Sequence, residues 1–316
     1  MISSVPAKVM IQEVGPRDGL QIEAKILSLS EKLELIESLM DAGLREIEVG
    51  SFVNPRAVPQ MADSEDLIRL LPDRPDVNYR ALWLNDKGLA RAIGSGRIAV
   101  DGKLQITASD AFTLRNFKKT LDEAVTAMPE WISMYQAAGI KTWALGVQAA
   151  FGCNFEGDVR PADVVALISR VELLMNDSGN QLKHLRLADT MGWANPIQVK
   201  RLVGLVRERW PNLKIRLHLH DTRGLAIANA FAGMEMGVDE FDAAIGGLGG
   251  CPFAGNPGSA GNICTEDLVF LCNEIGVETG VDLDKLITAA ELAERLVERP
   301  LPGKLAKSRG LQHMRH

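Results

Sequence analysis

Short apolar, β-branched runs recur along the chain and alternate with longer amphipathic stretches. The short runs predict strands at residues 8–13, 46–49, 79–84, 104–108, 142–148, 184–188, 215–220 and 240–244. Between them the apolar positions return every three or four residues. That spacing predicts helices at 30–42, 121–138, 162–175, 196–209 and 225–236, then 265–275 and 283–298. Leu33, Ile36, Leu39 and Met40 form one such stripe, and Ser30 is placed to cap it. Strands that alternate with helices argue for parallel βα units, and eight is the count that closes a (β/α)8 TIM barrel. An open doubly wound sheet would carry G-x-G-x-x-G after its first strand. The chain has Gly15-Pro16-Arg17-Asp18-Gly19 there instead. Residues 1–280 are read as the catalytic barrel. Residues 281–316 are read as a C-terminal helical extension packed on the barrel, ending in a mobile basic tail with Lys304, Lys307, Arg309 and Arg315.

Composition narrows the function. At 316 residues, 46% hydrophobic and 24% charged, the chain has the make-up of a globular protein with a large core. The net charge is −6 and no long Lys/Arg block occurs, so nucleic acid and anionic membranes are not expected partners. No apolar run reaches the ~20 residues of a membrane span, and the first residues do not read as a signal or transit peptide. A cytoplasmic location is expected. Cys153, Cys251, Cys264 and Cys272 lack CxxC spacing, which argues against a disulfide framework or a structural zinc site.

The candidate chemistry falls at predicted strand ends, where a barrel places its active site. His218 and His220 are two apart on a predicted strand, so both imidazoles share a face, and Asp221 follows. A lone strand histidine is more often a core residue; a pair at a strand's C-terminal end suits a divalent metal. Arg17-Asp18 follows the first strand. Such a pair in a loop commonly carries no function, but here Asp18 can offer a metal an oxygen and Arg17 a permanent cation to an oxyanion. Glu48 and Ser51 end the second strand, and Asp189-Thr190 the sixth. Each carboxylate is read either as a base or as an acceptor for nearby backbone N–H groups. The last strand runs into Gly246–Gly250 and Cys251. This stretch lacks the Lys-Ser/Thr of a nucleotide loop, so it is read as a lid hinge bearing a thiol able to move a proton. Cys153 is a weaker second candidate, and Cys264 and Cys272 are read as core.

Together these segments resemble 3-hydroxy-3-methylglutaryl-CoA (HMG-CoA) lyase, within the metal-dependent lyase and Claisen-condensing barrels. The likeness is carried by Gly-Pro-Arg-Asp-Gly-Leu-Gln at 15–21, Ile-Glu-x-x-Ser-Phe at 47–52 and Val-Pro-Gln-Met at 58–61. It continues with Asp-Thr-x-Gly at 189–192, His-x-His-Asp-Thr at 218–222 and Gly-Leu-Gly-Gly-Cys-Pro-Phe-Ala at 247–254. Gly261-Asn262 and Thr-Glu-Asp-Leu-Val at 265–269 complete it, so the match runs from about Val9 to Leu286. The cysteine loop separates the lyases from the isopropylmalate and homocitrate synthases.

The resemblance implies that Asp18, His218, His220 and Asn262 ligate Mg²⁺ or Mn²⁺. It implies that Arg17 stabilises the enolate of departing acetyl-CoA, that Cys251 protonates it, and that Glu48, Asp189 and His218 complete the catalytic set. Arg17, Gln21 and Ser51 would bind substrate. It further implies an acyl-CoA substrate, a place in leucine degradation, and a homodimer or higher homo-oligomer. Two departures bear on the substrate. Ile22-Glu23-Ala24-Lys25 stands where many members have Asn-Glu-Lys, and the segment from Ala254 to Gly261 is longer than the common form. The alternatives are a lyase for another 3-hydroxyglutaryl-type thioester or citramalyl-CoA, and a condensing 2-alkylmalate synthase-like enzyme.

Overall fold

The structure is a computed structural model that describes residues 5–250, 261–311 and 314. Along the chain it runs β1 (Met10–Glu13), a π-helical turn (Gly15–Gly19), α1 (Leu29–Asp41), β2 (Glu46–Ser51), α2 (Ser64–Leu70), β3 (Asn78–Leu82) and α3 (Asp86–Ser95). Next come β4 (Gly102–Thr107), α4 (Asp110–Phe117), α5 (Leu121–Thr126), α6 (Met128–Ala137), β5 (Thr142–Gln148), α7 (Pro161–Asp177) and β6 (His184–Ala188). The remainder is α8 (Pro196–Arg209), β7 (Lys214–His218), α9 (Ala226–Glu235), β8 (Glu240–Ala243), α10 (Thr265–Glu274), α11 (Leu283–Val297) and α12 (Leu305–Ser308).

The strands follow one another in the order β3-β2-β1-β8-β7-β6-β5-β4. They run parallel, as eight βα units of a (β/α)8 barrel do. Their burial explains their composition. In β2 and β5 nearly every residue is buried, which favours continuous β-branched and aliphatic runs over alternation. Two compact units are evident. One is built on Ala7–Val100 with most of the chain from Asp242 onward, and the other on Asp101–Phe241. They are called here the flanking and the central unit.

Several expected boundaries moved for identifiable reasons. Ser28, not Ser30, caps α1. Glu31 lies three residues on from Ser28, so its carboxylate returns to the Ser28 N–H (2.7 Å) while the Ser28 hydroxyl accepts from the Glu31 N–H (3.3 Å). The single helix expected over 121–138 is two helices. Pro129 near the start of α6 has no N–H to continue the ladder of α5. β7 stops at His218. His220 forms only an isolated bridge, and the chain then turns, with the Gly224 N–H donating to the Asp221 carbonyl (2.9 Å). The helices α2, α3 and α4 were not expected. They run seven, ten and eight residues, and Asn85 and Ser109 cap α3 and α4 through their side chains.

In the flanking unit α11 packs on α1 and α10. Its C-terminal end is tied back to the segment that departs from the family pattern. Arg299 bonds both Glu23 oxygens (2.8 and 2.5 Å), and Lys25 bridges Glu298 (2.9 Å) and Glu31 (3.2 Å).

Candidate active site

In the flanking unit the site is built on the turn after β1. The Val14 carbonyl accepts from the N–H groups of Arg17, Asp18 and Gly19, closing a wide turn that presents consecutive side chains. Gly15 opens it because a Cβ there would sit 2.6 Å from Glu13 Oε1. Arg17 is buried. Its Nη1 donates to Asp18 Oδ1 (2.6 Å) and its Nη2 to Glu48 Oε2 (2.5 Å) on β2. Burial alone would lower the affinity of the guanidinium for its proton. The Glu48 and Asp18 charges override that and raise it, so Arg17 is a fixed cation.

Gln21 Nε2 donates to Asp18 Oδ1 (3.1 Å), and Asn262 Nδ2 donates to Asp18 Oδ2 (3.0 Å) and to the Leu248 carbonyl (3.1 Å). The amide oxygen of Asn262 is buried without a hydrogen-bond donor among the described residues. A buried acceptor left in that state is costly unless something electropositive completes it. Gly249 allows this arrangement, because its backbone has φ +100° and a Cβ would fall 2.7 Å from Asn262 Nδ2. Arg17, Asp18, Gln21, Glu48 and Asn262 thus form one network. Ser51 lies outside it: its hydroxyl reaches the Leu82 carbonyl (3.4 Å) and its N–H donates to the Ser64 hydroxyl (3.0 Å).

In the central unit His218 and His220 are buried side by side, Nε2 to Nε2 3.2 Å, with ring centroids 5.1 Å apart. Arg186 Nη2 lies 2.7 Å from His218 Nδ1 and can only donate, which makes that nitrogen the acceptor. Asp189 follows β6 and ties to β7 through its N–H, which donates to the His218 carbonyl (2.8 Å). Its Oδ1 accepts from the Trp193 and Ala194 N–H groups (2.7 and 3.1 Å), and its Oδ2 is buried without a donor among the described residues. Burial pushes this carboxyl up to about 7, against the pull of the two N–H groups. An acid poised there is suited to proton transfer at neutral pH. Cys251 lies outside the described residues. Cys153, Cys264 and Cys272 are buried free thiols, and for the last two burial raises the thiol above its ordinary range.

Sequence reading passed over two residues. Arg186 was hidden inside a strand, although His184, Arg186, Arg216 and His218 repeat polar groups with period two on β6 and β7 and so mark a polar face. Glu13 reads in the sequence only as the last residue of the strand predicted at 8–13. It is fully buried and bonded to three segments of the flanking unit.

A family model described as HMGL-like matches residues 8–293. The chain belongs to the HMGL-like family. Among relatives of this family member, the (R)-citramalyl-CoA lyase of Chloroflexus aurantiacus is 41% identical over 310 residues, covering 95% of this chain and 94% of that protein. The hydroxymethylglutaryl-CoA lyase of Bacillus subtilis is 37% identical over 299 residues, covering 95% and 96%. A solved HMG-CoA lyase from Bacillus subtilis superposes with a TM-score of 0.86 at 36% identity over 96% of this chain and 98% of that one. An HMG-CoA lyase from Acenitobacter baumannii, solved in complex with coenzyme A and 3-methylmalate, gives 0.85 at 38% identity over 98% of each chain. The chain is therefore an HMG-CoA lyase-like enzyme, and its family depends on a divalent metal. No helix among the described residues is long and apolar enough to cross a membrane.

Proposed function

We propose that the protein cleaves 3-hydroxy-3-methylglutaryl-CoA, or a close 3-hydroxyacyl-CoA analogue, to acetyl-CoA and acetoacetate. The observation that carries this reading is the buried Arg17 cation held by Asp18 and Glu48, together with an Asn262 amide oxygen that has no donor among the described residues. Asp18, His218, His220 and Asn262 are the residues that would hold Mg²⁺ or Mn²⁺. Their donor set, two imidazole nitrogens with a carboxylate and an amide oxygen, suits a cation of that kind. When bound, such an ion acidifies a substrate hydroxyl and orients the adjoining carboxylate.

The chain's own residues do the rest. Asp189, whose Oδ2 has no donor among the described residues, takes the proton of the 3-hydroxyl as that carbon becomes a ketone, and His218 helps to orient that hydroxyl. The C2–C3 bond breaks and its electron pair moves into the thioester enolate. Arg17, unable to lose its proton, stabilises the enolate oxygen, and Glu48 and Asp18 keep the guanidinium aimed. Cys251 returns a proton to the enolate carbon, giving acetyl-CoA. Gln21 holds Asp18 in place, and Gln21 and Ser51 contribute to substrate binding.

The 41% identity to a citramalyl-CoA lyase favours a second substrate by the same chemistry, with pyruvate in place of acetoacetate as the keto product. The proposal also places the enzyme in the cytoplasm as a homodimer or higher homo-oligomer, with catalysis in residues 1–280 and 281–316 as an extension. The test is acetyl-CoA release by Mg²⁺- or Mn²⁺-loaded enzyme from a panel of 3-hydroxyacyl-CoA thioesters, with acetoacetate and pyruvate measured separately. Release from HMG-CoA supports the first reading, and release from citramalyl-CoA alone the second. Release from neither, with thiol liberated from acetyl-CoA and a 2-oxo acid instead, would replace both with a condensing enzyme.

A further inference from the structure

Glu13 ends β1, is fully buried, and has no part in the chemistry proposed above. Its Oε1 accepts from the Gly15 N–H (2.7 Å) and the Ile245 N–H (2.9 Å), and its Oε2 from the Thr265 hydroxyl (2.7 Å). Each donor belongs to a different functional segment of the flanking unit. Gly15 opens the turn that carries Arg17 and Asp18. Ile245 precedes the glycines that lead to Cys251. Thr265 begins α10, three residues after Asn262. A second buried carboxylate, Glu266, accepts the next amide, Gly246 N–H, at 3.0 Å.

The packing leaves this carboxylate little choice of position, since even a Cβ on Gly15 would collide with it. Burying a carboxylate is expensive, and burial pushes Glu13 up to about 7. An apolar side chain would fill the same space without that cost. What an apolar side chain lacks is acceptors that fix three separate backbone segments at once.

We propose that Glu13 is a positioning residue that sets the Arg17–Asp18 turn, the root of the Cys251 stretch and the Asn262–Thr265 segment in register. It acts through the Gly15 and Ile245 amides and the Thr265 hydroxyl. This rests on the functional reading above, in which those segments carry the reacting groups.

The test compares Glu13→Met, which keeps the volume and removes every acceptor, with Glu13→Gln, whose amide oxygen still accepts from the Gly15 and Ile245 N–H groups while its NH2 donates to the Thr265 hydroxyl, which turns to accept. Each is followed by kinetics, by Mn²⁺ binding and by hydrogen exchange over residues 14–20 and 244–250. Glu13→Met is expected to lower kcat by about 100-fold with KM changed much less. It should weaken Mn²⁺ binding by about tenfold, as loss of support behind metal ligands does, and speed exchange in both segments. Glu13→Gln is expected to restore all three readouts to within about fivefold of the parent.

A folded Glu13→Met enzyme with parental kcat, Mn²⁺ affinity and exchange would overturn the proposal, as would a Glu13→Gln variant no better than Glu13→Met. If Glu13→Met does not fold, Thr265→Val removes the Oε2 bond alone and should give a smaller loss of the same pattern; no change there overturns the proposal. If the parent enzyme cleaves no thioester, the functional reading fails, while exchange and Mn²⁺ binding still decide the role of Glu13.

Discussion

Replacing Glu48 with alanine strips one of the two carboxylates from a guanidinium whose side chain is 7% exposed. The remaining partner is Asp18, 2.6 Å away, and Arg17 Nε already lacks an acceptor among the described residues. Removing one side of a buried ion pair costs about 3–5 kcal/mol, because the other charge stays buried. Glu48→Gln keeps an acceptor oxygen and loses only the charge. The difference between a charge-assisted and a neutral hydrogen bond sets its cost at about 1–2 kcal/mol. In a chain of this size the alanine variant should melt about 6–10 °C lower, at roughly 2 °C per kcal/mol. Freed of Glu48, the guanidinium swings toward Asp18, and a displacement of that order costs about 100-fold in kcat. Thermal unfolding and acetyl-CoA release, measured on the parent and both variants, check the two numbers separately. A Glu48→Ala enzyme that melts within 1–2 °C of the parent, or a Gln variant as damaged as the Ala, would refute the argument that charge pairing orients Arg17.

Three further outcomes are expected. Asp189→Asn keeps an oxygen for the Trp193 and Ala194 amides but cannot accept a proton, so kcat should fall about 10²–10⁴-fold with little change in melting temperature; retention of a tenth of the activity would remove Asp189 from proton transfer. Burial pushes Glu13 and Glu266 from 4.5, and Asp189 from 3.8, up to about 7. A carboxyl whose folded pKa is raised gives stability that is complete below its unfolded pKa and lost as pH rises through 7, on the order of 3 kcal/mol per group. Metal-free enzyme should therefore have a higher urea midpoint at pH 5 than at pH 8, with a shallower slope in Glu266→Gln; a midpoint that climbs over this range contradicts the assignment. Finally, Mn²⁺ at about 100 times its Kd should stabilise chelator-treated enzyme by about 2.7 kcal/mol, and Asn262→Ala should lose most of that gain. An equal gain in the variant would exclude Asn262 as a ligand.

Much of the architecture was legible because strand burial leaves a direct mark on composition. Eight short β-branched runs separated by amphipathic stretches can be counted without coordinates, and the strands fall within a few residues of those runs. Boundaries were less legible, since they depend on single bonds. Ser28 outcompetes Ser30 because only Ser28 has a glutamate three residues on, and Pro129 divides a stripe whose periodicity continues across it.

The chemical residue types at the strand ends, Arg17-Asp18, Glu48, Asp189 and His218-x-His220, were also visible, because a barrel gathers function at one end of every strand. The family followed from their order and from the glycine-cysteine segment. Sequence alone, then, determined the fold class and the family and nominated the reactive groups, since each is written in local pattern. What each group does to its neighbours was decided only by tertiary structure. That Arg17 is clamped between Asp18 and Glu48, that Asn262 turns its amide nitrogen to Asp18 and leaves its oxygen without a donor among the described residues, and that Glu13 ties its own turn to two distant segments all depend on contacts between residues 31 to 252 positions apart in the chain. Such contacts leave no local pattern. They exist because folding brings separate strand ends together in a medium too dry to leave a polar atom unanswered at no cost.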